Sequence, residues 1–229
     1  MIELLVAMAV IGLLVVIGSS AHSRVTMLAN QSQCASNMRQ IGVALRMYAN
    51  VNGGDLPGTA HTNRSESWIF ALADYLDNAN SVRISPADPF AERRSRSPES
   101  TSYVANDLLF YGLPQYDHRG REIAKKPWQG NLHRLENPSQ TFIAFVGAEG
   151  RGDDLSNDHT HAEHWAGNWG AFAGSVAPDI FRTGKRSSSR LNGSSNYLFA
   201  DGRVESIEAQ QVHAMITSGI NIALPPEAR

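Results

Sequence analysis

The twenty residues from Leu4 to Ser23, LLVAMAVIGLLVVIGSSAHS, carry no formal charge. As one helix they extend roughly 30 Å, the thickness of a bilayer's hydrocarbon core. Only Glu3 precedes the run and Arg24 follows it. A cleaved secretory signal would open on Lys or Arg and close on a small-residue cleavage site. No cation precedes this run. A buried core helix is another alternative, but so uniform a stretch favours a single membrane-spanning helix. Arg24 alone is too little charge to orient it.

Whole-chain averages conceal this division. Of 229 residues, 18% are charged and 42% hydrophobic, with a formal net charge of −2. Those values describe an ordinary soluble protein. Yet among 20 Lys and Arg and 22 Asp and Glu, only Glu3 lies before residue 24. The near-balance of charge argues against a nucleic-acid partner, which calls for a basic excess. One cysteine, Cys34, excludes a disulfide framework and a thiolate metal cluster.

Three regions follow: residues 1–23 as a transmembrane helix half, 24–50 as its amphipathic continuation, and 51–229 as a polar globular head. In the second, Met38, Ile41, Leu45 and Tyr48 form one apolar face. Val25, Leu28 and Ala35 extend it less regularly. Asn52-Gly53-Gly54 ends the helix and Pro57 prevents its return. In the head, Trp68, Ile69, Leu72, Tyr75 and Leu76 predict a second helix over 65–76, capped by Ser65 or Ser67. Residues 81–102, with Arg83, Arg93, Arg94 and Arg96, read as an exposed loop. Without interleaved aromatics they make a poor nucleic-acid patch. Strands are expected over 103–111, 140–146 and 195–199. Asp201-Gly202 predicts a type I′ hairpin turn into a strand from Arg203 to Ile207. A short helix over 208–218 turns Val212, Met215 and Ile216 inward, Gly219 ends it, and residues 224–229 fray.

Both ends of the chain resemble one family. Ile2-Glu3-Leu4-Leu5-Val6, followed by an apolar run with Gly12, is similar to the N-terminus of type IV pilins and type II secretion pseudopilins. Cys34-Ala-Ser-Asn37-Met-Arg-Gln40-Ile-Gly42, Tyr48-Ala-Asn50 and Gly53-Gly54-Asp55-Leu56-Pro57 resemble the second half of that helix and its turn. Asn192-Gly193, Asn196 to Gly202 and Val204-Glu205 resemble the H-x9-D-G tail of a bacterial subgroup. The middle, 60–185, matches loosely through Ser85-Pro86-Ala87-Asp88-Pro89, Ser102-Tyr103 and Asn106. Three departures stand out. Met1 occupies the place of the Leu before the Ile-Glu pair, so a late start codon is expected, with the basic leader upstream. Leu191 stands where the tail's His falls, and Arg203 where a second His is common. Ser85 stands where relatives often carry a Cys, which leaves Cys34 without that partner.

The resemblance implies an α+β pilin-like fold: a long N-terminal helix, half in the membrane and half amphipathic, packed on a small antiparallel sheet. It implies a filament subunit in the bacterial inner membrane, single-pass, with its head in the periplasm or at the cell surface. Implied partners are the membrane, other pilin-like subunits, and prepilin peptidase with its assembly machinery if the start lies upstream. Glu3 then serves subunit registration. From the residues alone, Glu3 is either an interfacial carboxylate favoured by the helix macrodipole or the partner of a neighbouring subunit's cation.

Other chemistry is sparse. Asp153, Asp154, Asp158, His159, His161 and His164 fall within one polar stretch. Imidazoles so spaced can hold Zn²⁺, and the Asp oxygens Ca²⁺. The spacing matches neither an H-E-x-x-H helix nor an EF-hand. A polar loop beside Trp165 and Trp169, with no cofactor, is the plainer alternative. Trp165 to Phe172 suggests a surface aromatic loop or head packing. There is no G-x-S-x-G elbow, and Gly147 to Gly152 lacks the Lys-Ser/Thr of a phosphate loop. No enzymatic activity is expected. The alternative function is a non-polymerising, membrane-anchored periplasmic binding module using the His/Asp or Trp loop.

Overall fold

The structure, a computed structural model, describes residues 2–59, 67–76, 79–97, 100–110, 126–152, 154 and 157–229. The side chains of residues 5, 13–21 and 79 lie outside that set. The chain is α+β, with a four-stranded antiparallel sheet in the order β1-β2-β3-β4. The strands are β1 (Tyr103–Ala105), β2 (Phe142–Val146), β3 (Ser194–Phe199) and β4 (Val204–Glu208).

Helix α1 is Ile2–Val51. No proline interrupts it, since Pro57 is the first in the chain. It stops where the sequence says it should. Gly53 takes a φ of +64°, and the Gly54 amide donates to the Ala49 carbonyl at 2.7 Å. That is the long bond of a Schellman cap, which an L side chain at Gly53 would disfavour. Met38, Ile41 and Leu45 are buried against the sheet and Tyr48 is half-buried, as the periodicity predicts. Cys34, Ala44 and Ala49 complete that face, while Val25 and Leu28 are exposed.

Residues 2–23, expected as a transmembrane half, lie within α1. The side chains at the centre of the run are outside the described set. Among the described residues no helix is long and apolar enough to cross a membrane.

Strands β1 to β3 are buried on both faces. Tyr103, Ala105, Ile143, Ala144, Val146 and Leu198 face the α1 side. Val104, Phe142, Phe145, Tyr197, Phe199 and Ile207 face a second core, closed by Trp165, Phe172 and Val212. The register shifts between Phe142 and Ala144, which lets Ile143 and Ala144 share a side despite the period of two. The second layer is formed by α4 (Trp169–Ser175) and α5 (Ala209–Thr217), with the C-terminal segment.

Several expectations are corrected. Residues 68–76 form turns and a 3-10 segment, Ala73–Tyr75, not an α-helix. Trp68, Ile69 and Leu72 are fully buried there, and the Trp68 indole donates to the Asp158 carbonyl at 2.7 Å, which fixes the tighter coil. Ser65 lies outside the described residues. The stretch 81–102 is not an exposed loop. It holds the ends of α2 (Ala79–Val82) and α3 (Ala91–Arg96), and Arg83 and Arg94 are buried. Arg83 donates to the carbonyls of Arg94, Ser95 and Ser100, so its charge is spent on backbone. Strand β1 ends at Ala105; Asn106 still donates its backbone amide to the Ile143 carbonyl at 2.9 Å, and its side-chain amide donates to the Phe142 and Ala223 carbonyls at 2.7 Å each.

The hairpin after β3 exists but is not type I′. Within this turn only Gly202 is at positive φ, +90°. Gly202 donates to the Phe199 carbonyl at 2.9 Å, and Phe199 to Arg203 at 2.8 Å. This is a three-residue loop with glycine at its bulge position. The C-terminal tail does not fray. Pro226–Ala228 form a 3-10 turn, and Arg229 donates to the carbonyls of Leu224, Gln140 and Ile222.

Candidate functional site

Two parts of the fold bear on function. The first is the free portion of α1. Glu3 stands in its first turn, exposed. Ile2, Leu4, Val6, Met8, Val10 and Ile11 are each more than half exposed. Burial begins at Met27, and from Cys34 to Ala49 one face of the helix is buried.

The second is the stretch after residue 150. Asp153 lies outside the described residues. Asp154 is exposed and accepts from the Asn157 side chain at 2.8 Å. Asp158 and His159 are buried and bonded to each other, Oδ1 to Nδ1 at 2.7 Å. They serve the core. His159 bridges Ala105 in parallel fashion, with Ala105 donating to the Asp158 carbonyl and Thr160 to the Ala105 carbonyl, both at 2.9 Å. Arg151 gathers the Asn157 and His159 carbonyls, the latter at 2.5 Å. Burial pulls its guanidinium down to about 10. His164 is exposed.

Of the six candidates, only His161 joins a ligand-like group. The potential ligand atoms of Asp107, His161 and Glu163 all lie within 4.8 Å of one another. Asp107 follows β1, and the backbone pairing of Ala105 with the 158–160 segment carries His161 and Glu163 to it. Asp107 Oδ1 accepts from the Thr160 hydroxyl at 2.7 Å and the Ala162 amide at 3.2 Å. Burial pushes the Asp107 carboxyl up to about 6, against those two hydrogen bonds and with the help of the nearby Glu163 charge. Burial lowers the His161 imidazole, and His159 adds to that effect. Sequence reasoning missed Asp107, because no local spacing links a residue after a strand to a loop some fifty residues on.

The aromatic stretch packs inward. Trp165 is fully buried and meets Phe145 and Phe172 edge to face. Trp169 is half-buried, with its indole on the Ser189 carbonyl. A surface aromatic site is therefore not formed by Trp165 and Phe172. Cys34 is buried, and its sulfur accepts from the Tyr103 hydroxyl at 3.7 Å. Burial pushes its thiol up, and the Tyr103 bond partly offsets the shift.

Compared with known proteins, the chain matches no family model, no curated protein and no solved structure.

Proposed function

We propose that this chain is a structural subunit of a filament of the type IV pilus or type II pseudopilus kind, assembled through the N-terminal portion of α1. The observation that carries the reading is the division of one helix into two environments. Its later residues, Cys34 to Ala49, are built into the core. Its first described residues leave a row of large apolar side chains uncovered. Large exposed apolar surface calls for a lipid or protein cover. The uncharged run through Ser23 suits the inner membrane before assembly and neighbouring helices after it.

In a filament, Glu3 meets the N-terminal amine of a neighbouring subunit. In an apolar surround an unpaired carboxylate is strongly disfavoured, so only one register of packing is tolerated. The test is Glu3→Ala and Glu3→Leu in a subunit cross-linking assay in membranes. Loss of cross-linked ladders with unchanged protein level supports registration by Glu3; ladders equal to wild type refute it. The alternative, a non-polymerising anchored module, keeps the apolar helix but predicts no ladder even in the unmodified chain. In that case, Asp107, His161 and Glu163 are the residues left to serve as its binding site.

A further inference from the structure

We infer that Asp107, His161 and Glu163 form a binding site for a divalent transition-metal ion of the zinc class, where the end of β1 meets the 158–163 segment. The inference does not depend on filament assembly.

The donor set decides the class. An imidazole nitrogen with two carboxylate oxygens suits borderline ions such as Zn²⁺, whereas Ca²⁺ and Mg²⁺ favour all-oxygen shells. Three protein ligands leave a position for water on the exposed side, where His161 and Glu163 lie. Ligand atoms around a tetrahedral zinc stand roughly 3.3 Å apart, given bonds of about 2.0–2.1 Å. The present spacing of up to 4.8 Å is therefore closed by modest rotation of two exposed side chains.

The site is also built beneath its ligands. Asp107, the half-buried member, has Oδ1 fixed by Thr160 and Ala162. These two bonds leave Oδ2 as the oxygen to offer an ion. Ala162 is in turn held by the Asn221 amide, which donates to its carbonyl at 2.7 Å. Thr160 is fully buried and its amide is tied to Ala105. Outer hydrogen bonds of this kind orient metal ligands, and removing one costs about 10–100-fold in affinity. Two negative carboxylates and a neutral imidazole give the pocket a charge that one divalent cation balances.

The test uses the untagged full chain in detergent, stripped with chelator and titrated with Zn²⁺ by calorimetry, with Co²⁺ absorption as a second readout. The expected result is saturable one-to-one binding. His161→Ala and Glu163→Gln, both exposed positions, each weaken it by at least about 10-fold. His164→Ala, three residues on and outside the group, leaves it unchanged. Thr160→Ala weakens it about 10–100-fold and Thr160→Ser restores it. No saturation up to about 1 mM Zn²⁺ overturns the site. So does wild-type affinity in both His161→Ala and Glu163→Gln. Tighter Ca²⁺ than Zn²⁺ binding that survives His161→Ala overturns the assignment of the metal.

Discussion

Gly42 of α1 lies against Gly202 of the β3-β4 turn so closely that a Cβ on Gly42 would stand 3.1 Å from the Gly202 Cα. The same Cβ would meet Leu198 Cδ1 at 2.9 Å. The helix thus crosses the hairpin at two glycines, and the Gly202 position serves both turn and crossing. Gly42→Ala gains about 1 kcal/mol of helix propensity but forces overpacking that costs about 1–3 kcal/mol. The net expectation is destabilisation of about 1 kcal/mol, read as a lowered Tm. Gly174→Ala, in α4 with nothing within 4 Å, is the control and raises it.

Asp88 and Arg94 form a buried ion pair at 2.8 Å, with side chains 8% and 4% exposed. Asp88 also accepts from the Ser102 hydroxyl at 2.7 Å and the Phe90 amide at 2.8 Å. Arg94 further donates to the Gly152 and Arg151 carbonyls. Asp88→Ala removes a counter-charge from a buried guanidinium. It is expected to cost about 3–5 kcal/mol by denaturant unfolding. A change below about 1 kcal/mol would contradict this account.

Cys34 and Ser85 are both fully buried, and Asn37, on the turn of α1 after Cys34, donates to the Ile84 carbonyl at 3.1 Å. Ser85→Cys therefore places two thiols near each other across about fifty residues of chain. Under oxidising conditions a disulfide is expected, visible as faster migration on non-reducing gels. It should stabilise by about 2–4 kcal/mol. The unmodified Cys34 thiol should react with an aromatic disulfide reagent only after denaturation, since the residue is fully buried.

Tyr103 and Tyr197 are fully buried, and burial holds both phenols above their ordinary range. The folded state then keeps protons that the unfolded state releases above about pH 10. The unfolded state binds fewer protons there, so stability falls as pH rises beyond that value. Two of the six tyrosines should ionise only together with loss of circular dichroism. Tyr197 has no hydrogen-bond partner for its hydroxyl among the described residues. Tyr197→Phe should accordingly be near neutral at pH 7 and shift alkaline unfolding upward.

The sequence was most legible where periodicity or glycine placement had one meaning. The buried face of α1, its glycine stop, the β3-β4 hairpin and α5 all follow from such signals. It misled where tertiary partners overrode composition. Arg83 and Arg94 look solvated until buried carbonyls are found around them. The stripe over 68–76 looks helical until Trp68 is seen tied to Asp158. The candidate site was half legible: His161 belonged to a visible cluster, but its neighbours Asp158 and His159 turned into the core. Asp107 came from a distant strand end, through a backbone pairing that no spacing encodes.

Among the described residues strand β4 pairs on one side only, while the other end of the sheet is capped where His159 bridges Ala105. The open side exposes Glu205 and Glu208, with Arg203 beside Glu205. Charged groups on a bare strand discourage backbone annealing between molecules. In the proposed filament, where heads crowd at a local concentration far above any solution value, neighbours can be held side by side for long periods. They would do so without their sheets fusing into one.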